Sequence, residues 1–447
     1  MNNTRAKWLA AAGVLAMISA ASYALAMTAY IPDYDGIEAL TGMVAYGFLA
    51  GACLILGLYS SARSAAGRLV APAVRYLSVP TPMAPAPPTE KNDQWHVLGG
   101  LRFVLAACIV CVHVMVIVDN APEQVGWLGH VVWATGSTIV LPFFLISGYS
   151  IAASFERDPA GYAWRRFWRI APVFWLGLAA STAVMLAYKS TGTVSRLDLV
   201  MNALCLQTWI THPLKAFGPS WTLACEAFYY CLTPWFARQT NRTLLAIAAS
   251  SLALYLYHAS IPEAISYPGD WHGAPVACLA WWWLAGFLFY RFRASEAAKN
   301  WLIIVSVVML PFDWKSFQPG CVYSMLIAVM IITNATRIRV PKILVKPLDW
   351  MGGMSYPLYA VHFAVITFVY ARYGHQLGSH RVEYVLASLA AGALAYQLFD
   401  LPTQWLVRNV RIRVPDRVVG WARSGGRSVG HHGIDQRAYA EQDKAHL

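Results

Sequence analysis

Residues 101–114 read LRFVLAACIVCVHV, an apolar run with Arg102 near one end and His113 near the other. The two are eleven positions apart; at about 100° per residue that is three helical turns plus roughly 20°, so both side chains leave one face. Their axial separation is about 16 Å, roughly half of a hydrocarbon core. Cys108 and Cys111 make a C-x-x-C within the same run. Redox and zinc versions of that motif need an aqueous helix start or two further ligands, and neither is visible, so both cysteines read as small packing residues.

The surroundings show what kind of helix this is. Of the 447 residues 58% are hydrophobic and only 13% charged, about half the charge of an ordinary soluble domain. Apolar runs long enough to cross a bilayer recur from end to end, about twelve of them. The formal net charge of +12 raises the question of nucleic acid, but Arg and Lys lie in short breaks between runs rather than on one basic face. They report topology instead. With the basic breaks inside, ARQTNR (237–242), RFRASEAAKN (291–300) and TRIRVPKILVKP (336–347) are cytoplasmic. DNAPEQ (119–124), HASIPEAISYPGDWH (258–272) and FDWKSFQ (312–318) are then external, and both termini are cytoplasmic.

Residues 1–61 hold two spans, 8–30 and 39–61, separated by PDYDGIE (32–38). The first has an alternative reading as a signal peptide, because Arg5 and Lys7 precede an apolar stretch ending in Ala24-Leu25-Ala26. A linker over 62–97, basic and then Pro-rich, has too few apolar residues to pack. Ten spans follow near 98–118, 131–153, 170–188, 221–237, 243–259, 274–291, 300–312, 319–335, 353–373 and 383–405, so a membrane domain over 98–408 is expected. Within the long external segment 189–220, LVMNALCLQTWI (199–210) reads as interfacial or re-entrant. The tail, 409–447, is basic and polar, and its His431-His432 pair has no further ligands nearby. The fold class is therefore all-α: a polytopic transmembrane bundle with a ten-helix core and two N-terminal helices.

Ionisable groups at bilayer depth are costly and are kept for interiors or pathways. Those here are Arg102, His113, Glu226, His362 and Asp400, with Arg165, Arg166 and Arg169 at the inner boundary. Arg102 and His113 taken singly read as a snorkelling cation and a hydrogen-bonded core imidazole; sharing a face points to a site. Glu226 enters from the outside to a depth close to that of His113, where it can orient the imidazole, meet a substrate hydroxyl, or form a structural ion pair. The three arginines, interleaved with Trp164, Phe167 and Trp168, suit phosphates and an adenine, or anionic lipid headgroups. G-x-S-x-G, P-loop and H-E-x-x-H signatures are absent from the sequence, and no metal site is expected.

Six segments in order resemble the membrane acyltransferase-3 family, whose bacterial members O-acylate surface and secreted glycans. Arg102 and His113 match its Arg-x10-His, VLPFFLISGYSI (140–151) its FF-x-x-SG, and WRRFWRIAPVFW (164–175) its RR-x-x-RI-x-P-x-x-W. PSWTLACEAFYY (219–230) is similar to PSW-S-L-x-x-E-x-x-FY, SYPLYAVHF (355–363) to SY-x-LY-x-x-H, and FDLP (399–402) to a closing acid-x-Pro. Two departures stand out: Ile139-Val140-Leu141 replaces Gly-Val-Asp, and the closing acid is Asp400 rather than Glu.

The resemblance implies a bacterial inner-membrane O-acyltransferase that moves an acyl group, acetyl first, from cytoplasmic acyl-CoA to a carbohydrate hydroxyl. It assigns catalysis to His113, Glu226 and Arg102, coenzyme contacts to Arg165, Arg166 and Arg169, and substrate contacts to Trp221, Tyr229 and His362. Acyl-CoA enters as donor substrate, with no tightly bound cofactor; a separate extracytoplasmic transferase is a possible partner, and nucleic acid is not expected. Transfer of succinyl or another acyl group is the alternative within the enzyme class, and a polytopic transporter or flippase the alternative outside it.

Overall fold

A computed structural model describes residues 93–119, 139–159, 161–189, 192–260, 273–293, 295–317, 321–377 and 381–409. The expected N-terminal spans, residues 62–92 of the linker and the tail beyond Asn409 lie outside the described residues; the last five residues expected in the linker, 93–97, instead form the first turn of a helix. Among those described, every regular element is a helix: α1 Asp93–Val114, α2 Val140–Arg157, α3 Tyr162–Ala187, α4 Arg196–Ala203, α5 Ser220–Phe236, α6 Asn241–Ser260, α7 Ala274–Arg291, α8 Glu296–Phe317, α9 Cys321–Asn334, α10 Lys342–Leu377, α11 Arg381–Ala395 and α12 Leu401–Asn409. Among the described residues four helical stretches are long and apolar enough to cross a membrane: Asp93–Val118, Tyr162–Ala187, Lys342–Gly374 and Arg381–Val407. The protein is thus an all-α helical bundle.

Helix α7 shows why the bundle has a dry centre. Its sequence, APVACLAWWWLAGFLFYR, is apolar on every side, and almost all of it is buried; a helix with no polar face has to be enclosed. It packs hardest against α2. There Gly148 of α2 and Gly286 of α7 face each other's helix reciprocally: a Cβ on Gly148 would run into the Trp283 carbonyl, and one on Gly286 into the Leu145 carbonyl. Small residues let helix backbones approach this closely. A second seam joins α1 to α10, where Gly352 lies so near that an added Cβ would stand 2.8 Å from the Gly99 Cα.

Two single π-turns interrupt the helices, Met115–Asp119 directly after α1 and Tyr396–Asp400 between α11 and α12. Such turns shift side-chain register by one residue and cluster at functional sites. Here the first starts two residues after His113, and the second ends on Asp400.

The segment after α4 has non-helical backbone enclosed in protein, which membrane-domain structure tolerates. Cys205 and Thr208 adopt positive φ, and Gln207 and Thr208 are buried. Asn202 holds the loop in place: its Nδ2 donates to the Asp198 carbonyl at 2.9 Å and the His212 carbonyl at 3.2 Å, while Oδ1 accepts from Leu214 N–H at 3.3 Å. Asn202→Ala orphans these buried groups and is expected to lower stability by about 1–3 kcal/mol, read as an earlier thermal transition of the detergent-solubilised protein.

Candidate active site

A cavity of about 120 Å³ opens between α1, α2, α3, α5 and α10. Its charged and polar walls come from distant parts of the chain: Arg102 from α1, Ser147 from α2, Arg166 and Arg169 from α3, Glu226 and Tyr230 from α5. The volume is well below the roughly 300 Å³ of a drug-sized site, so it suits the reacting end of a substrate rather than a whole coenzyme.

The charges in this cavity are unevenly matched. Asp400 Oδ2 accepts from Arg169 Nη1 at 2.8 Å and from Gln404 Nε2 at 2.6 Å, so the Arg169 charge is held by a buried counter-ion. Arg166 Nη2 donates to Ser154 Oγ at 2.5 Å. Arg102 has no hydrogen bond or ion pair among the described residues, and its Nε is buried without a partner. Neither Arg102 nor Arg166 makes an ion pair among the described residues, although Glu226 shares their cavity, and cations held this loosely are receptive to an anion.

Glu226 sits at the end of a hydrogen-bonded chain. Trp283 Nε1–H donates to Ser147 Oγ at 3.3 Å, the Ser147 and Tyr230 hydroxyls are 3.0 Å apart, and the Tyr230 hydroxyl donates to Glu226 Oε2 at 3.0 Å. The Ser147 hydroxyl is within hydrogen-bonding reach of both Tyr230 and Glu226, so its proton can serve either oxygen. Arg102 and Arg166 lie within electrostatic reach of the same carboxylate.

His113 points elsewhere. It does not line the cavity; its Nδ1 is 2.8 Å from His362 Nε2, and the two rings lie edge to edge with centroids 5.1 Å apart and planes 17° from parallel. His362 is completely buried. Between this pair and the cavity stand Phe143 and Tyr359, both cavity-lining, with ring centroids 5.9 Å apart; the Tyr359 ring is 5.6 Å from that of His362. Glu226 and His113 make no hydrogen bond to each other among the described residues, so the carboxylate that was a candidate to orient the imidazole is instead grouped with Arg102.

The remaining sequence candidates have structural partners. The Tyr229 hydroxyl donates to the Val276 carbonyl at 2.7 Å and ties α5 to α7, and Trp221 is buried near the start of α5. Arg165 turns away from the cavity to an ion pair with Asp158, and its Nη2 donates to the Asp158 carbonyl at 2.7 Å. Sequence reading quoted Ser147 within FF-x-x-SG and Tyr230 at the end of PSWTLACEAFYY but gave neither a role. Tyr230 lies four residues after Glu226 on the same face of α5, whereas the partners of Ser147 are 83 and 136 residues away, beyond the reach of local spacing.

The family model for an acyltransferase domain, acyltransferase-3, matches residues 95–400, which contain all of this machinery. Acyltransferase MdmB from Streptomyces mycarofaciens is 28% identical over 341 residues, covering 67% of this chain and 85% of that protein. No solved structure matches. With the family match spanning more than half of its length, the chain belongs to the acyltransferase-3 family and is a membrane protein that transfers acyl groups.

Proposed function

We propose that the protein moves an acetyl group from acetyl-CoA to a hydroxyl of a cell-surface or periplasmic carbohydrate, working in the bacterial inner membrane with both termini cytoplasmic. The observation that carries this reading is the pairing, on one helix, of a cavity-lining guanidinium that makes no ion pair among the described residues and an imidazole eleven residues further on.

In this scheme Arg166 and Arg169 receive the anionic end of the donor at the α3 mouth, with Arg165 as an outlying contact. Arg102 adds a further cationic contact to the donor inside the cavity, at the opposite end of the α1 face from the reacting carbonyl. The acyl carbonyl passes the Phe143–Tyr359 edge to reach His113. There the acceptor oxygen attacks the carbonyl carbon, its proton goes to His113, the C–S bond breaks and the thiolate takes the proton. Acetyl is the first reading and succinyl or another acyl group the alternative, and the mass added to the glycan separates them.

The decisive experiment is mass spectrometry of envelope carbohydrate from cells with and without the protein, joined to transfer of label from acetyl-CoA supplied to the inner face of sealed vesicles. Unlabelled carbohydrate with an unchanged glycan mass overturns the proposal; a labelled product that is not carbohydrate moves it to another acceptor.

The two adjacent arginines separate cleanly by test. Arg166→Ala removes a charge-assisted donor in the cavity and is expected to raise the KM for acetyl-CoA by about 10- to 100-fold, from roughly 1.5–3 kcal/mol. Arg165→Ala breaks a partly exposed ion pair worth about 0–1 kcal/mol and is expected to leave that KM within about fivefold. Initial rates across a donor titration check both.

A further inference from the structure

We infer that His362 is a positioning residue that fixes His113 as the tautomer protonated on Nδ1, which makes Nε2 of His113 the atom that takes the acceptor's proton. The inference rests on the acyl-transfer reading above and deepens it to a single nitrogen.

Geometry carries the assignment. His362 Nδ1 lies 2.7 Å from the Tyr359 carbonyl oxygen and 3.2 Å from that of Leu358. Carbonyls only accept, so Nδ1 of His362 bears a proton. The ring is fully buried, and its hydrogen-bond partners among the described residues are those two carbonyls and His113. With no carboxylate to balance a second proton, the ring is neutral and its Nε2 carries a lone pair. That lone pair faces His113 Nδ1 at 2.8 Å, so His113 must be the donor there. A neutral His113 with its proton on Nδ1 has its own lone pair on Nε2, which has no hydrogen-bond partner among the described residues, on a residue that is partly open. The relay therefore runs from two backbone carbonyls through one imidazole to the other, and ends in a free base.

A neutral partner has a consequence that a carboxylate would not. It aims the imidazole without adding a negative charge beside it, and the Nδ1–H bond to His362 becomes charge-assisted only when Nε2 has taken the proton. Its strengthening is thus reserved for the reacting state, as catalysis requires.

The test uses membranes containing the full chain, labelled acetyl-CoA as donor and the host's envelope carbohydrate as acceptor. His362→Leu is expected to lower kcat by roughly 10²-fold, the low end of what general-base help supplies, with the KM for acetyl-CoA unchanged. His362→Gln offers an amide oxygen to His113 Nδ1–H and an amide N–H to the Tyr359 carbonyl, and is expected to recover most of the loss. Parental kcat in His362→Leu, an equal loss in both variants, or a loss confined to KM overturns the inference. Should a variant fail to insert, nitrogen-15 spectra of histidine-labelled parent protein, with His113→Ala assigning the signal, decide alone: protonation of His113 on Nδ1 supports the inference and protonation on Nε2 overturns it. Absence of transfer by the parent is a different result, visible before any variant is made, and overturns the acyl-transfer reading together with the catalytic role built on it.

Discussion

His113→Ala is expected to reduce acyl transfer by about 10²- to 10⁴-fold, the range that a positioned general base supplies. Insertion and donor binding should survive, because the cavity walls that include Arg102, Arg166 and Arg169 do not include His113. The substitution does leave His362 Nε2 without its partner at 2.8 Å, a structural cost of about 1–3 kcal/mol for an orphaned buried acceptor. Two readouts keep these effects apart: label transferred from acetyl-CoA to carbohydrate, and the thermal transition of the purified protein. Full transfer by His113→Ala would falsify the assignment of the base, whatever the thermal result.

The largest structural effect is expected at the seam between α2 and α7. A Cβ on Gly148 meets the Trp283 carbonyl, which is backbone of a fully enclosed helix and has nowhere to retreat. Gly148→Val must therefore push the two helices apart, disturbing the Trp283–Ser147–Tyr230–Glu226 chain that spans them. Overpacking a core with a few methylenes ordinarily costs about 1–3 kcal/mol; separation of two buried helices should exceed the upper figure. The expected outcome is little monodisperse protein after extraction, and no transfer. Gly286→Val probes the same contact from the other helix and should fail in the same way. A Gly148→Val protein that unfolds at the parental temperature would show that the seam yields, and would remove the steric basis of the prediction.

How much of this was legible beforehand depends on whether the feature is local. The helices follow from apolar runs, and the ten expected core spans each overlap a described helix because burial in lipid demands the same long apolar pattern everywhere. Boundaries moved where charge can remain at the interface: α10 begins at Lys342 rather than near 353, carrying Lys346 and Asp349 on its first turns. The shared face of Arg102 and His113 is a property of one helix, so spacing alone predicts it. Partners across helices are another matter. Depth placed Glu226 level with His113, but depth says nothing of azimuth, and the rotation of α5 directs the carboxylate to Tyr230 and Arg102. His362 was marked as an intramembrane ionisable group and by its SY-x-LY-x-x-H motif; that it meets His113 depends on the α1–α10 crossing, which no periodicity encodes. Arg165 and Arg166 are neighbours in sequence yet diverge by about 100° around α3, which sends one to Asp158 and the other into the cavity.

The glycine seam between α1 and α10 also constrains how the molecule can move. Backbone so close at Gly99 and Gly352 leaves little room for one helix to roll or slide on the other. Arg102 and His113, both on α1, form the ends of a ruler about 16 Å long, set by the rise of that one helix. On the proposed scheme a donor gripped at the arginine end has to bridge that interval with its own length, and the reach of the donor's arm becomes a condition for reaction that the acyl group alone does not reveal.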